Sequence, residues 1–332
     1  MECNNCQVKE LEFEFKVEGE RNLSMLGDVL AHLHRQKVLT ETQKNRFILK
    51  EHDVRDFIDF CKDHMETSQV LFRVSKQQPW ELLAKVEEVL DVQWIDEVIQ
   101  QQLMICHYQP IVNVEEQVFA YELLSRFQNE DGSIIYPNEI FSAARVRGRL
   151  YALDRACRMI AVKHAASIKE KKAFINFIPT SIYSPEFCLK STTALAEELG
   201  INPVQLVFEV VETEKVEDIE HLKKILAYYK AKGFEYALDD VGEGYSTMEM
   251  LADLKPKYMK LDMKYVQGVS EDKMKQAVAQ KFLEKALEVG STPLAEGIEE
   301  RVDFEWLKEQ GYKLFQGYYF GKPEAKPVFE EK

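Results

Sequence analysis

Beyond residue 100 the chain alternates short apolar runs with longer stretches whose apolar residues recur at helical spacing. The runs occupy 105–113, 118–126, 173–179, 205–211, 236–240, 258–262, 293–296 and 313–316, and amphipathic patterns separate most of the later ones. Eight strands alternating with helices over about 230 residues predict an α/β fold, a (β/α)8 TIM-like barrel. An open doubly wound sheet fits less well, because no GxGxxG or GxxxxGK[ST] opens a first turn. Only Val114-Glu115-Glu116-Gln117 separates the first two runs. A parallel crossover needs far more chain, so the first strand is expected to be antiparallel.

The first hundred residues read differently. Leu11-Glu12-Phe13-Glu14-Phe15-Lys16-Val17 alternates with a period of two and predicts a half-buried strand. Residues 23–36 and 40–65 carry helical spacing, 70–74 reads as a strand, and 79–101 as one amphipathic helix beginning near Pro79. The expected division is a small α+β or mostly helical module over 1–98, without a readable functional motif, and a barrel over 99–332.

Composition narrows the function classes. The 332 residues are 45% hydrophobic, and 43 Lys+Arg against 57 Asp+Glu leave a formal charge of −14. Surfaces for DNA or RNA polymers carry excess Lys and Arg, so an extended polyanion partner is disfavoured, while a small anion held through metals is compatible. No stretch approaches the roughly 18 apolar residues of a membrane span. Met1-Glu2-Cys3-Asn4-Asn5-Cys6 lacks the basic and apolar regions of a signal peptide. A cytoplasmic protein is expected, its six cysteines free thiols or metal ligands.

Polar residues stand where a core-filling strand would not put them. Glu122, Asn176, Glu209, Asp239, Asp240, Lys260, Glu296 and Gln316 each sit within or just after an apolar run. One such residue alone reads as a hydrogen-bonded structural group. In a (β/α)8 barrel, however, the C-terminal strand ends share one mouth, so the set converges there. Five carboxylates so crowded would repel one another unless cations neutralise them. An all-oxygen set suits Mg2+ or Mn2+ rather than zinc. Gly242 and Gly244 would let the backbone turn after Asp239-Asp240, so that this pair bridges two ions, the device used for phosphoester hydrolysis.

These residues carry a family resemblance. Tyr108-Gln109-Pro110-Ile111-Val112 followed by Glu122-Leu123-Leu124-Ser125-Arg126 resembles the opening and signature of the EAL-type cyclic di-GMP phosphodiesterases, with Leu123 in place of the middle alanine. The likeness continues in order through Asn176-Phe177-Ile178-Pro179, Glu209-Val210-Val211-Glu212, Asp239-Asp240-Val241-Gly242, Lys260-Leu261-Asp262, Ala295-Glu296-Gly297 and Gln316-Gly317-Tyr318, covering about 103–325. It implies hydrolysis of cyclic di-GMP to linear pGpG with two Mg2+ or Mn2+ ions. Glu122, Asn176, Glu209 and Asp239 would hold the first ion, and Asp240, with Asp239 bridging, the second. Lys260 would orient the attacking water. Glu296 would serve as second-metal ligand or general base, Glu212 would steady the loop after Asp240, and Gln316 would support the water network. Gln109 and Arg126 match substrate-contacting positions, and a guanidinium pairs bidentately with phosphate or guanine edges. Val241, Thr247 and Val211 depart from the family's usual Phe, Ser and Thr. The loop after Asp240 couples metal binding to dimerisation in that family, so the resemblance also implies a homodimer.

Two rival readings accompany it. A catalytically silent cyclic di-GMP receptor or interaction module would bind without turnover. The second is a different barrel enzyme, such as a metal-dependent lyase or aldolase; a Schiff-base mechanism there would need a desolvated lysine, whereas Lys260 is expected beside carboxylates that would raise its pKa. In the N-terminal module Cys3, Cys6, Cys61 and His64, from a CxxC and a CxxH, would make a tetrahedral structural Zn2+ site. The plainer alternative is a frayed terminus with unused thiols.

Overall fold

The computed structural model describes residues 8–74, 79–210, 219–239 and 254–328. Its contacts divide the chain into two units: the residues up to Leu103 with Ile135–Leu153, and Met104–Ile134 with the residues from Asp154 onward.

The first unit is built on an antiparallel sheet of order β2-β3-β1-β4-β5, comprising β1 (Glu12–Val17), β2 (Leu39–Gln43), β3 (Arg46–Lys50), β4 (Val70–Arg73) and β5 (Glu81–Leu82). The alternation in β1 buries Phe13, Phe15 and Val17 and leaves Glu14 and Lys16 on the opposite face. Helices Glu20–Gln36 and Glu51–His64 cover the apolar face, adding Leu26, Val29 and Leu33 from one and Val54, Phe57, Ile58 and Cys61 from the other. Phe57 meets Phe15 and Phe47 edge-on at centroid distances of 4.8 and 5.1 Å.

Helix Pro137–Arg147 belongs to this unit. The fully buried Arg147 forks onto Glu51 (2.8 and 2.9 Å), reaches Asp96 at 2.7 Å and donates to the Val89 carbonyl at 3.0 Å. Arg149 grips the same Asp96 at 2.7 and 3.0 Å. Two guanidinium and two carboxylate groups thus neutralise one another away from water.

Two expectations for this region are corrected. Residues 40–65 hold the hairpin β2–β3 before the helix begins at Glu51. β2 is an edge strand with four exposed positions of five, so it shows no inward stripe, and β3 turns only Phe47 and Leu49 inward. Residues 79–101 are not one helix but β5, a 3-10 turn at Leu83–Lys85 and helices Val86–Asp91 and Trp94–Gln100. The apolar spacing runs on across Val92-Gln93 although the chain turns there.

The zinc expectation finds no support in its described half. Cys61 is buried, its thiol donates to the Met65 sulfur at 3.6 Å, and burial pushes it up to about 12. The His64 ring packs on Phe60. Cys3 and Cys6 lie outside the described residues.

The second unit is a closed barrel of eight strands: β6 (Met104–Val112), β7 (Val118–Gln128), β9 (Lys172–Phe177), β10 (Leu206–Val210), β11 (Glu235–Leu238), β12 (Tyr258–Leu261), β13 (Thr292–Ala295) and β14 (Leu314–Gln316). The two-residue β8 (Ile134–Ile135) stands outside the ring. β6 runs antiparallel to both its neighbours, β7 and β14, and every other pair in the ring is parallel. The observed strands coincide with the eight apolar runs to within about two residues, the ordinary uncertainty of such boundaries.

Each strand places one residue in a common interior layer. Ile111, Ala120, Phe174, Val207, Ala237, Tyr258, Leu294 and Leu314 form a single buried cluster. This layer closes the barrel beneath the polar residues. Among the described residues no helix is long and apolar enough to cross a membrane.

Candidate active site at the barrel mouth

Side chains two apart on a strand share a face, so the residue two positions past each member of the apolar layer also points into the barrel. Those residues are Glu122, Asn176, Glu209, Asp239, Lys260, Glu296 and Gln316. On the antiparallel β6 the count runs backwards, and two residues before Ile111 stands Gln109. All eight strands therefore contribute one polar group to a layer stacked about 7 Å above the apolar one.

Lys260 is 1% exposed and occupies the middle of this layer. Its Nζ lies 3.1 Å from Glu296, 3.2 Å from Glu209, 3.3 Å from Asp239 and 3.6 Å from Glu122. Burial opposes its charge, but the four carboxylates outweigh that and hold the ammonium well above its ordinary range. A Schiff-base mechanism needs a neutral lysine, which this carboxylate-lined setting opposes.

Glu122 is tied from both sides. Asn176 Nδ2 donates to its Oε1 at 2.8 Å, and Gln316 Nε2 donates to its Oε2 at 2.6 Å. Gln316 Nε2 also lies 3.1 Å from Gln109 Oε1. Burial pushes the Glu122 carboxyl up, but Lys260 and the two amide donors prevail and hold it below the usual range. Glu209 differs. It is fully buried, and beside the ammonium neither of its oxygens has a hydrogen-bond partner. Burial, reinforced by Glu122 and Asp239, drives its carboxyl well above the usual range. Glu296 is pushed up to about 7, mainly by burial, against the pull of Lys260.

An all-oxygen donor set and the unpartnered Oε2 of buried Glu209 fit a hard divalent cation. Among the described residues no three His, Cys, Asp or Glu side chains already form a cage for one, since the carboxylates are spread round the ammonium. Asp240, Glu212, Val211, Val241, Gly242, Gly244 and Thr247 lie outside the described residues. Arg126 stands four residues beyond Glu122 on β7, on the same face and nearer the rim, its Nη1 donating to the Ser125 carbonyl at 2.9 Å.

The structure adds a support that the sequence pattern did not single out. Asp154, buried on helix Leu150–Ala165, accepts from the Ile178 amide at 2.9 Å and the Ser181 hydroxyl at 2.6 Å and pairs with Arg158. It pins the loop that follows Asn176. An Asp and an Arg four apart on a largely apolar helix were the available signal. Beyond Glu296 the chain turns through Gly297 at φ +73, where an added Cβ would lie 2.2 Å from Met263 Cβ.

Comparison with known proteins agrees with this architecture. The family model described as "EAL domain" matches residues 92–323. A protein of Escherichia coli K12 named "Probable cyclic di-GMP phosphodiesterase PdeG" is 31% identical over 65% of this chain and 44% of its own length. Cyclic di-GMP phosphodiesterase PdeR of the same organism is 23% identical over 74% of this chain and 38% of its own. The chain thus spans less than half of either relative. Among solved structures, a standalone EAL protein of Vibrio cholerae O395 in its c-di-GMP-bound form is 35% identical, with a TM-score of 0.59 over 67% of this chain and 92% of that one. With the polar layer in place on a barrel whose first strand is reversed, and a family match across most of the sequence, the chain belongs to the EAL domain family.

Proposed function

We propose that this chain is a metal-dependent phosphodiesterase that opens cyclic di-GMP to linear pGpG. The observation that carries the reading is the polar layer: one buried ammonium enclosed by four carboxylates, among them a fully buried Glu209 whose Oε1 meets the ammonium at 3.2 Å and whose Oε2 has no partner. The relatives' names and the ligand of the Vibrio structure support the choice of substrate. Glu122, Asn176, Glu209 and Asp239 are the residues to hold a first Mg2+ or Mn2+, and Asp239 with Asp240 a second. Such ions supply Lewis acidity at the phosphate and lower the pKa of water.

The chain's own groups do the rest. Arg126 and Gln109 bind the dinucleotide, the first through bidentate pairing with a phosphate or guanine edge. Lys260 keeps its proton and faces the charge that develops on the phosphoryl oxygens as water attacks in line with the departing 3′ oxygen. Glu296, poised near neutrality, accepts the water's proton. Gln316 holds Glu122 in place and keeps a free carbonyl oxygen for water. Glu212 steadies the loop after Asp240.

Incubating the purified full chain with cyclic di-GMP and Mg2+ or Mn2+, beside Glu122→Ala, and resolving products by chromatography tests this. Wild-type protein forms pGpG and the variant does not. Nucleotide binding without pGpG in either metal would replace the enzyme by a receptor. A cytoplasmic homodimer completes the proposal, and light scattering with and without Mg2+ checks its dimer part.

A further inference from the structure

The opposite end of the barrel carries a second concavity. A cavity of about 350 Å³ opens where β11 and β12 begin, walled by Phe234, Tyr236 and Pro256 and by the turns at Gly233 and Gly290. Three lysines line it: Lys230, Lys255 and Lys257. None of the three is ion-paired to another described residue. Among the described residues of the wall the one acid, Glu235, is already taken by Lys172 Nζ at 2.7 Å and the Tyr258 hydroxyl at 3.0 Å.

Nor are these lysines needed as helix caps. The helix Ile219–Ala231 ends with the Gly233 amide on the Lys230 carbonyl and the Phe234 amide on the Tyr229 carbonyl, both at 3.0 Å. At helix Lys273–Glu288 the Gly290 and Ser291 amides do the same for Leu287 and Ala286. Lys255 is moreover held at φ +48, a left-handed conformation that a lysine rarely adopts and keeps only where its surroundings impose it.

We propose that this cavity is an anion site for a dianionic phosphate, separate from the catalytic mouth. The three ammonium groups face the phosphate, and Phe234 and Pro256 offer an apolar wall to whatever carries it. The site lies at the start of β11, which leads into Asp239, and of β12, which carries Lys260, about 10 Å along a four-residue strand.

Titration calorimetry on the full chain, at low ionic strength with chelator present, tests the site with GMP, inorganic phosphate and guanosine. GMP and phosphate bind and guanosine does not. Tighter binding of GMP identifies a phosphorylated organic molecule as the occupant, and equal binding identifies free phosphate. Lys255→Gln combined with Lys257→Gln weakens both by about tenfold or more. Glu122→Ala leaves them unchanged, and saturating cyclic di-GMP does not displace them. Circular dichroism verifies folding, and Lys230→Gln replaces the double variant if that fails to fold. Absence of binding, binding that survives these substitutions, guanosine binding equal to GMP, or displacement by cyclic di-GMP would each overturn the proposal.

Discussion

Replacing Lys260 by methionine removes the cation at the centre of the polar layer while keeping its length. The lysine is 1% exposed and has four carboxylates within 3.6 Å, so the variant leaves buried negative charge without a partner. Removing one side of a buried ion pair costs about 3–5 kcal/mol. Spread over a barrel of this size, that lowers the melting midpoint by roughly 6–20 °C. The pH window follows from the two shifts. Glu122 is held below its unfolded value, so its contribution is present above that value and lost as pH falls through the lowered one. Lys260 is held above its unfolded value, so its contribution is full below about 10 and lost as pH rises past it. Glu122 contributes to the penalty above about pH 5. Glu296, pushed up to about 7, and the raised Glu209 join it only as pH rises further, so the penalty grows from about pH 5 through neutrality and shrinks toward pH 4. Thermal melts of wild type and Lys260→Met in chelator at pH 7.5 and pH 4, then with excess Mg2+ or Mn2+ at pH 7.5, measure it. Metal should restore much of the loss. Equal midpoints for the two proteins in chelator at pH 7.5 would refute the role of Lys260 as internal counter-ion.

Three further outcomes are expected. Gly297→Ala places a Cβ 2.2 Å from that of Met263 at φ +73, so it should lose about 2–4 kcal/mol of stability by denaturant titration and weaken activity by moving Glu296. Because Glu296 is pushed up to about 7 and burial raises Glu209 in the same direction, the metal-free protein holds protons at neutral pH that a divalent ion expels; calorimetry in buffers of different ionisation enthalpy should show proton release at pH 7, less at pH 8.5, and none in a doubly substituted Glu209→Gln, Glu296→Gln chain. Arg147→Met strands Glu51 and Asp96 in the interior of the first unit, and should cost about 3–5 kcal/mol, read as faster hydrogen exchange in helix Glu51–His64 with little change across β10 and β12.

The barrel was legible because its strands are written twice. Each carries an apolar residue for the interior layer and, two positions on, a polar one, and the repetition of that pair makes a weak local signal strong. Reversal of the first strand was legible from the four-residue connection alone. The hairpin at 39–50 was not, since an exposed edge strand has no inward stripe to display; its best signal was Asn45 in the two-residue turn, where its side chain reaches the Val17 carbonyl at 2.8 Å. Nor could the sequence foresee that Pro137–Arg147 joins the first unit, because the guanidinium of Arg147 and its carboxylate partners Glu51 and Asp96 are far apart along the chain. Of the polar set, Glu122, Asn176, Glu209, Asp239, Lys260, Glu296 and Gln316 do meet, while Asp240 lies outside the described residues. The central position of Lys260 depends on how long its stem is and what surrounds it, which spacing does not express.

The two stacked layers also make the mouth sensitive to parity. Glu122 enters it only because an even step separates it from Ala120, and the same holds for Asn176 after Phe174 and Lys260 after Tyr258. Deleting one residue between the members of such a pair would turn a carboxylate, amide or ammonium outward without altering its chemistry. Length within these strands is therefore constrained more tightly than composition, and an alignment of any relative that is gapped by an odd number there describes a barrel whose mouth has lost a member.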